Sequence, residues 1–169
     1  MAYFVARAAA VIVGEQAEYA RVARVSGDFF RVFGVQPIAG RLFDSKDMAS
    51  GPPTIAILGN SFAKSHFGGG SQAIGRTIRI NSGGTLNANR PLSIVGVVAS
   101  DFTFPEGAEI WVPQPLPDTA NALSRGGQNF RAAARLKPDV NLKQAQSEMT
   151  TIAARLEAQY PDTNTGRRA

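Results

Sequence analysis

The chain has 169 residues, of which 44% are apolar and 18% charged, with one histidine, no cysteine and a formal charge of +5. That length suits one ordinary core or two small lobes, and the lack of cysteine excludes a disulfide framework, a thiol nucleophile and cysteine-bound metal. Arginine supplies 14 of the 18 basic residues, but these are scattered, and only Arg167 and Arg168 adjoin; without a basic stripe, nucleic acid is not an expected partner.

The 17 glycines and 10 prolines exceed what a helical bundle uses and point to many turns between strands. No apolar run approaches the roughly 20 residues that span a bilayer. The start Met1-Ala2-Tyr3-Phe4-Val5-Ala6-Arg7 lacks a leader pattern, so export of this segment is expected to depend on chain outside it.

Tyr3 to Val13 and Glu18 to Val25 read as two strands about the polar corner Gly14-Glu15-Gln16, with Ala8-Ala9-Ala10 leaving a helix as the alternative for the first. Ser26-Gly27-Asp28 starts a two-turn helix carrying Phe29, Phe30, Val32 and Phe33, and Gly34 stops it. Val35 to Phe43 is an irregular apolar link with Gly40 at a turn. Thr54 to Leu58 is a short strand, Phe62 to Phe67 a helix started by Asn60 or Ser61, and Gly68-Gly69-Gly70 its flexible stop. In Ile74 to Asn81 the isoleucines mark one face and the arginines the other, as in a half-buried strand.

Ser82 to Arg90 reads as a polar loop, and Leu92 to Val98 as a strand with Gly96 where another backbone approaches closely. Ile110 to Pro113 is a further strand, and Pro117 to Gln128 a linker. Phe130 to Leu136 reads as a strand. Asn141 then caps a helix whose Leu142, Ala145, Met149, Ile152, Ala153, Leu156 and Tyr160 share one apolar face, and Pro161 closes it. A strand followed by an amphipathic helix packs naturally as half of a split β-α-β unit, and Tyr19 to Phe33 offers the matching piece. The expected fold class is α+β: a porter-like split β-α-β lobe from residues 1–40 and 118–169, with a smaller, mostly β lobe of residues 41–117 inserted.

No complete catalytic set is present. His66 is expected to serve the end of its helix or to pack there. Asp44 and Asp47 lack the ligand density of a calcium loop and read as turn or cap residues. The glycine run is followed by no Gly-Lys-Ser/Thr, and no glycine flanks Ser61 as in a nucleophile elbow. Glu106 and Glu109 lie near Trp111 without a reason to straddle a substrate. The expectation is a noncatalytic chain with no catalytic residue, cofactor or metal. Phe29, Phe30, Phe33, Phe102 and Trp111 read as core.

The run from Val25 to Phe43, VSGDFFRVFGVQPIAGRLF, resembles the signature of the MacB-like periplasmic core domain of FtsX-like ABC-transporter permeases. The likeness continues in order through Ile74 to Ile78, Ile94 to Val98, Phe102 to Pro105, Ile110 to Pro113 and Ala134 to Pro138, and ends on Leu142 to Asn164. In form it is similar to permeases of soil bacteria such as Acidobacteria. Gly27, Phe29, Phe30, Gly34, Pro37, Gly40, Arg41, Gly75, Gly96, Pro105, Trp111 and Pro113 are its structural signature, the glycines and prolines shaping turns and close approaches; its partner-binding residues are unknown.

The resemblance implies a periplasmic domain of a bacterial inner-membrane protein, held between membrane helices. It would transmit motion driven by an ATPase domain or subunit on the cytoplasmic side, and contact a periplasmic adaptor and an outer-membrane channel during efflux or envelope transport. A homodimer is implied for the full-length protein. The competing reading is a ligand-binding or sensing module that recognises a small molecule, peptide or lipid between its lobes, with a pocket near Phe102 to Trp111.

Overall fold

A computed structural model describes residues 1–48, 51–81, 90–115 and 130–166. The loop expected over 82–90 (save Arg90) and the linker expected over 117–128 lie outside the described residues.

The first two strands, β1 (Ala2–Val13) and β2 (Gln16–Val25), form a ten-pair antiparallel hairpin about Gly14. Four more strands complete a ring with them: β4 (Ile55–Gly59), β5 (Thr77–Asn81), β6 (Pro91–Val98) and β7 (Ile110–Pro113). β2 runs parallel to β7, β7 antiparallel to β4, β4 parallel to β6, β6 antiparallel to β5, and β5 antiparallel to β1. Successive pairings therefore return to their starting strand and close a six-stranded barrel. The pairing runs across the expected lobe boundary at residue 40, since β1 and β2 hydrogen-bond to β5 and β7.

Alternation along the strands sorts the apolar residues into two cores. Ala9 and Val11 of β1 join Ala20, Val22, Leu58, Ile78, Ile80, Ile94 and Ile110 in the barrel interior. One end of that interior is stoppered by Phe62 and Ala63 of α2 (Asn60–Phe67) and Ala73 of α3 (Gly70–Ala73). Gly68 ends α2 in a left-handed conformation, as expected of the glycine run, but Gly70 already begins α3.

The second core lies on the outer side of the ring. There Phe4, Ala23, Val25, Ile57 and Trp111 meet Phe29 and Phe30 of α1 (Phe29–Phe33). Five residues are too few for a helix to be stable in water. Burial of two phenylalanines, each contributing about 1.5–3 kcal/mol, holds α1 in place. Gly34 ends it at φ 71°, and its N–H bonds to the Arg31 carbonyl.

The link after α1 is more regular than expected: β3 (Pro37–Gly40) pairs antiparallel with β6. At Gly40 and Gly96 the two backbones touch. A Cβ on Gly40 would lie 2.2 Å from the Val95 carbonyl oxygen, and one on Gly96 would lie 2.0 Å from that of Arg41. The chain then makes a 3-10 turn at Ser45–Met48.

The C-terminal elements differ most from expectation. β8 is only Arg131–Ala133, shorter than the strand expected over 130–136, and pairs with Ala2, Tyr3 and Phe4 of β1. α4 (Leu142–Gln159) begins at Asn141 in a capping box, with the Gln144 N–H donating to Asn141 Oδ1 and the Asn141 N–H to Gln144 Oε1, both at 2.9 Å. Pro161 opens a last short helix, α5 (Pro161–Asn164), instead of simply ending α4. No residue of α4 is buried. Its apolar face, expected to pack in a split β-α-β unit, stays exposed: Leu142 at 74%, Met149 at 48%.

Candidate functional site

The residues that join β8 and α4 to the barrel form the candidate site. Tyr3 stands at its centre, on the β1 segment that β8 pairs with. Its N–H donates to Ser26 Oγ at 3.2 Å and its hydroxyl to the Gln114 carbonyl at 2.7 Å. The Phe130 ring meets the Tyr3 ring edge-on at 5.4 Å. Burial pushes the Tyr3 phenol above its ordinary pKa, so it stays a neutral donor at physiological pH.

Glu106 makes the second tie. It sits in the turn after Phe104-Pro105, a cis peptide, with a left-handed φ of 56°. Its Oε1 accepts from Arg131 of β8 at 2.7 Å, and its Oε2 from Arg21 of β2 at 2.7 Å. Arg21 Nε also donates to the Glu106 carbonyl at 2.9 Å. One carboxylate thus bridges the barrel and the short strand. The third tie is Arg135, whose Nε and Nη2 both donate to the Val32 carbonyl, at 3.1 and 2.8 Å. That carbonyl belongs to the last turn of α1, where a cation is favourable.

Such exposed ties are individually worth about 0–1 kcal/mol. Among the described residues the arm of β8 and α4 is therefore held by a three-residue ladder, one ring contact, the packing of Ala133 against the outer core and polar surface bonds, whereas the barrel holds itself by two apolar cores. In chemical terms the arrangement offers a firm body and a weakly latched arm.

The residues singled out from the sequence are dispersed around this frame. Phe29, Phe30 and Trp111 are fully buried in the outer core, and the Trp111 indole N–H donates to the Phe104 carbonyl at 2.9 Å. Gly27 faces Met48, with space for a Cβ only 3.1 Å from its side chain. Pro37 and Pro113 sit in ladders opposite Val98 and Val25, Gly75 turns the chain at φ 78°, and Pro105 forms the cis bond. Arg41 donates to both carboxylate oxygens of Asp47, at 2.6 and 3.0 Å.

Asp44 and Asp47 act in that turn. Asp44 Oδ1 accepts from the Lys46 and Asp47 N–H groups, and Asp47 Oδ2 from the Asp44 N–H. His66, near the end of α2, lies with Nε2 2.6 Å from Glu18 Oε1 and its ring 4.3 Å from that of Phe62. Glu109 is drawn to the Arg21 N–H at 3.4 Å and does not face Glu106 across a cleft. Among the described residues no group of three or more His, Cys, Asp or Glu side chains could hold a metal ion, and no helix is long and apolar enough to cross a membrane.

The pocket expected near Phe102 to Trp111 is filled by rings: Phe102 stacks on Trp111 at 5.6 Å and packs against Phe30 at 5.9 Å. A groove of about 630 Å³ lies instead between the start of α1 and the 3-10 turn, lined by Ser26, Asp28, Phe43 and Met48 among others. The sequence reading missed Tyr3, Arg131 and Arg135 as arm ties. Their partners lie 23 to 111 residues away, and no local spacing announces them.

The barrel, the outer aromatic core and the strand–helix arm together make a fold shared with known domains. Residues 2–152 match the model of the MacB-like periplasmic core domain, and the chain belongs to that family. It is 29% identical over 143 residues to the macrolide export ATP-binding/permease protein MacB 1 of Aeromonas hydrophila, covering 82% of this chain and 20% of that protein. The fold is shared with the periplasmic region of MacB from Actinobacillus actinomycetemcomitans, at a TM-score of 0.65 and 18% identity over 96% of this chain and 68% of that one. A domain of a protein described as a permease from Porphyromonas gingivalis gives 0.67 and 17%, over 97% and 68%. The extracellular domain of the ABC-type transporter YknZ from Gram-positive bacteria gives 0.62 and 18%, over 95% and 75%. The chain thus spans a fifth of the length of the curated relative.

Proposed function

We propose that this chain is the noncatalytic periplasmic domain of an ABC-transporter permease in a bacterial inner membrane, and that it transmits conformational change. ATP hydrolysis would reside in a cytoplasmic domain or subunit, and the domain would contact a periplasmic adaptor and an outer-membrane channel during efflux or envelope transport. The parent protein would act as a homodimer. Family membership supports this placement. The observation that carries the mechanical reading is the contrast between a closed barrel and an arm whose helix has no buried residue. In this reading β8 and α4 move relative to the barrel, and they belong to a proposed porter-like lobe of residues 1–40 and 118–169.

The test uses the parent permease. The chain contains no cysteine, so Glu106→Cys with Arg131→Cys places one thiol on each side of the junction. Bridging them with a cleavable cross-linker in a parent free of other cysteines should stop transport, and cleaving the linker should restore it. Transport undiminished by the bridge would contradict the reading. A second reading, recognition of a small molecule, peptide or lipid, is supported by the groove beside Ser26 and Met48; a ligand screen by calorimetry tests it.

A further inference from the structure

The end of the barrel remote from α2 carries two arginines that the described residues leave uncompensated. In the β1–β2 ladder Arg7 lies opposite Val22 and Arg24 opposite Val5, so the two occupy diagonal positions on one face. It is the barrel-facing side, since Val22 belongs to the interior core, as does Val112, which lies beside Arg24 on β7. Arg24 Nε is buried and has no hydrogen-bond partner. Among the described residues, neither guanidinium forms an ion pair or side-chain hydrogen bond.

Like charges at neighbouring cross-strand positions repel, and a desolvated donor without a partner is costly. Both effects act on Arg24: burial first, then the charge of Arg7, push its pKa down. A third orphan lies on the same side. Gln114, two residues beyond Val112, is buried, and its Oε1 accepts no hydrogen bond. Two unneutralised donors and one unused acceptor share one end of the barrel.

We propose that Arg7 and Arg24 form an oxyanion site that takes a phosphate group. The planar guanidinium fork matches phosphate oxygens, and a hydrogen phosphate dianion offsets both charges. Its remaining P–OH is a donor of the kind that Gln114 Oε1 lacks. A bridging water would satisfy the orphan atoms but would leave the charge of half-buried Arg24 unbalanced, with the exposed Arg7 beside it at the barrel mouth. The site adjoins the arm junction, since the Gln114 carbonyl accepts from the Tyr3 hydroxyl, but it does not rest on the proposed transport role.

The phosphate could be free or carried on a lipid headgroup, and two arms separate these sources. In the first, thermal unfolding is followed as millimolar inorganic phosphate replaces chloride at constant ionic strength. The midpoint should rise by about 2–4 °C. Arg24→Gln and Arg7→Gln should each abolish the rise, while Arg79→Gln, on the exposed face of β5, should keep it. In the second, sedimentation with phosphatidic acid vesicles, whose headgroup is a phosphate monoester, should fall at least tenfold for the same two variants if a headgroup is the source. A rise with phosphate and no vesicle binding identifies free phosphate. If Arg24→Gln fails to fold, Arg7→Gln alone decides. No rise in the unmodified chain together with no vesicle binding, or equal responses in the unmodified chain and the Arg7 and Arg24 variants, overturns the proposal.

Discussion

Arg131 of β8 donates to Glu106 Oε1 at 2.7 Å, while the other oxygen of the same carboxylate accepts from Arg21 of β2 at the same distance. A strand of three residues is thereby pinned to the barrel through a turn far from it in sequence. The pinning is superficial, since the Arg131 side chain is 73% exposed.

Replacing that carboxylate should therefore loosen the arm without unfolding the barrel. Glu106→Gln is expected to cost less than about 1 kcal/mol of global stability. Amide hydrogen exchange should nevertheless quicken at Arg131 to Ala133, relative to the β1–β2 hairpin. Uniform exchange changes across the chain would contradict a local latch.

The close approach of β3 and β6 should tolerate no side chain. A Cβ on Gly96 would meet the backbone oxygen of Arg41 at 2.0 Å, with the carbonyl carbon at 3.1 Å. Backbone cannot step aside as a flexible side chain does, so Gly96→Ala should cost about 3 kcal/mol or more. Gly14→Ala is the contrast: its φ of 61° is unfavourable for alanine, but nothing lies within 4 Å, and about 1–2 kcal/mol is expected. Denaturant unfolding of both variants measures the difference.

The Arg41–Asp47 pair predicts a pH dependence. The hydrogen bond from Arg41, then that from the Asp44 N–H, outweigh burial and hold the Asp47 carboxyl below the usual carboxylate range. The unfolded chain, with its carboxyl near pKa 3.9, then binds more protons than the folded one in the interval between the two pKa values. The stabilisation is complete above that unfolded value and is lost as pH falls through the folded one. Asp47→Asn should lower the unfolding midpoint at neutral pH, and its deficit should shrink as pH falls below about 4. A deficit constant from neutral to acid pH would contradict this.

The apolar face of α4 should matter little to this domain's own stability. Ile152 is 41% exposed and Leu156 38%. Replacing both with alanine, a good helix former, should change the unfolding free energy by less than about 1 kcal/mol. A loss of several kcal/mol would mean that the face packs on the barrel.

The elements with a strong local pattern were legible in the sequence. Alternation marked β5 in Ile78 and Ile80, the Asn141 cap marked the start of α4, and Gly34 the end of α1. Gly96 could be read as a close approach because a small residue interrupts an otherwise β-branched strand. Closure of the barrel was not legible, since β4–β6 and β2–β7 are parallel pairs between distant segments and leave no turn signature. The strand expected to Leu136 is shorter because Ala134 to Leu136 find no ladder partner, and Arg135 turns to the α1 carbonyl instead. Amphipathicity placed an apolar stripe on α4 but could not say what covers it. At the junction, Glu106 was legible as a carboxylate near Trp111, yet its two arginine partners come from strands 85 and 25 residues away.

The central claim is that the arm moves against the barrel when the parent transporter turns over. Thr150 on α4 and Arg79 on β5 are both exposed, and spin labels at these positions would report the separation between arm and barrel in the membrane-embedded parent. Electron paramagnetic resonance distances should shift or split between nucleotide-free and ATP-bound states. One unchanged distance distribution in both states, with ATP hydrolysis and transport intact, would contradict the account.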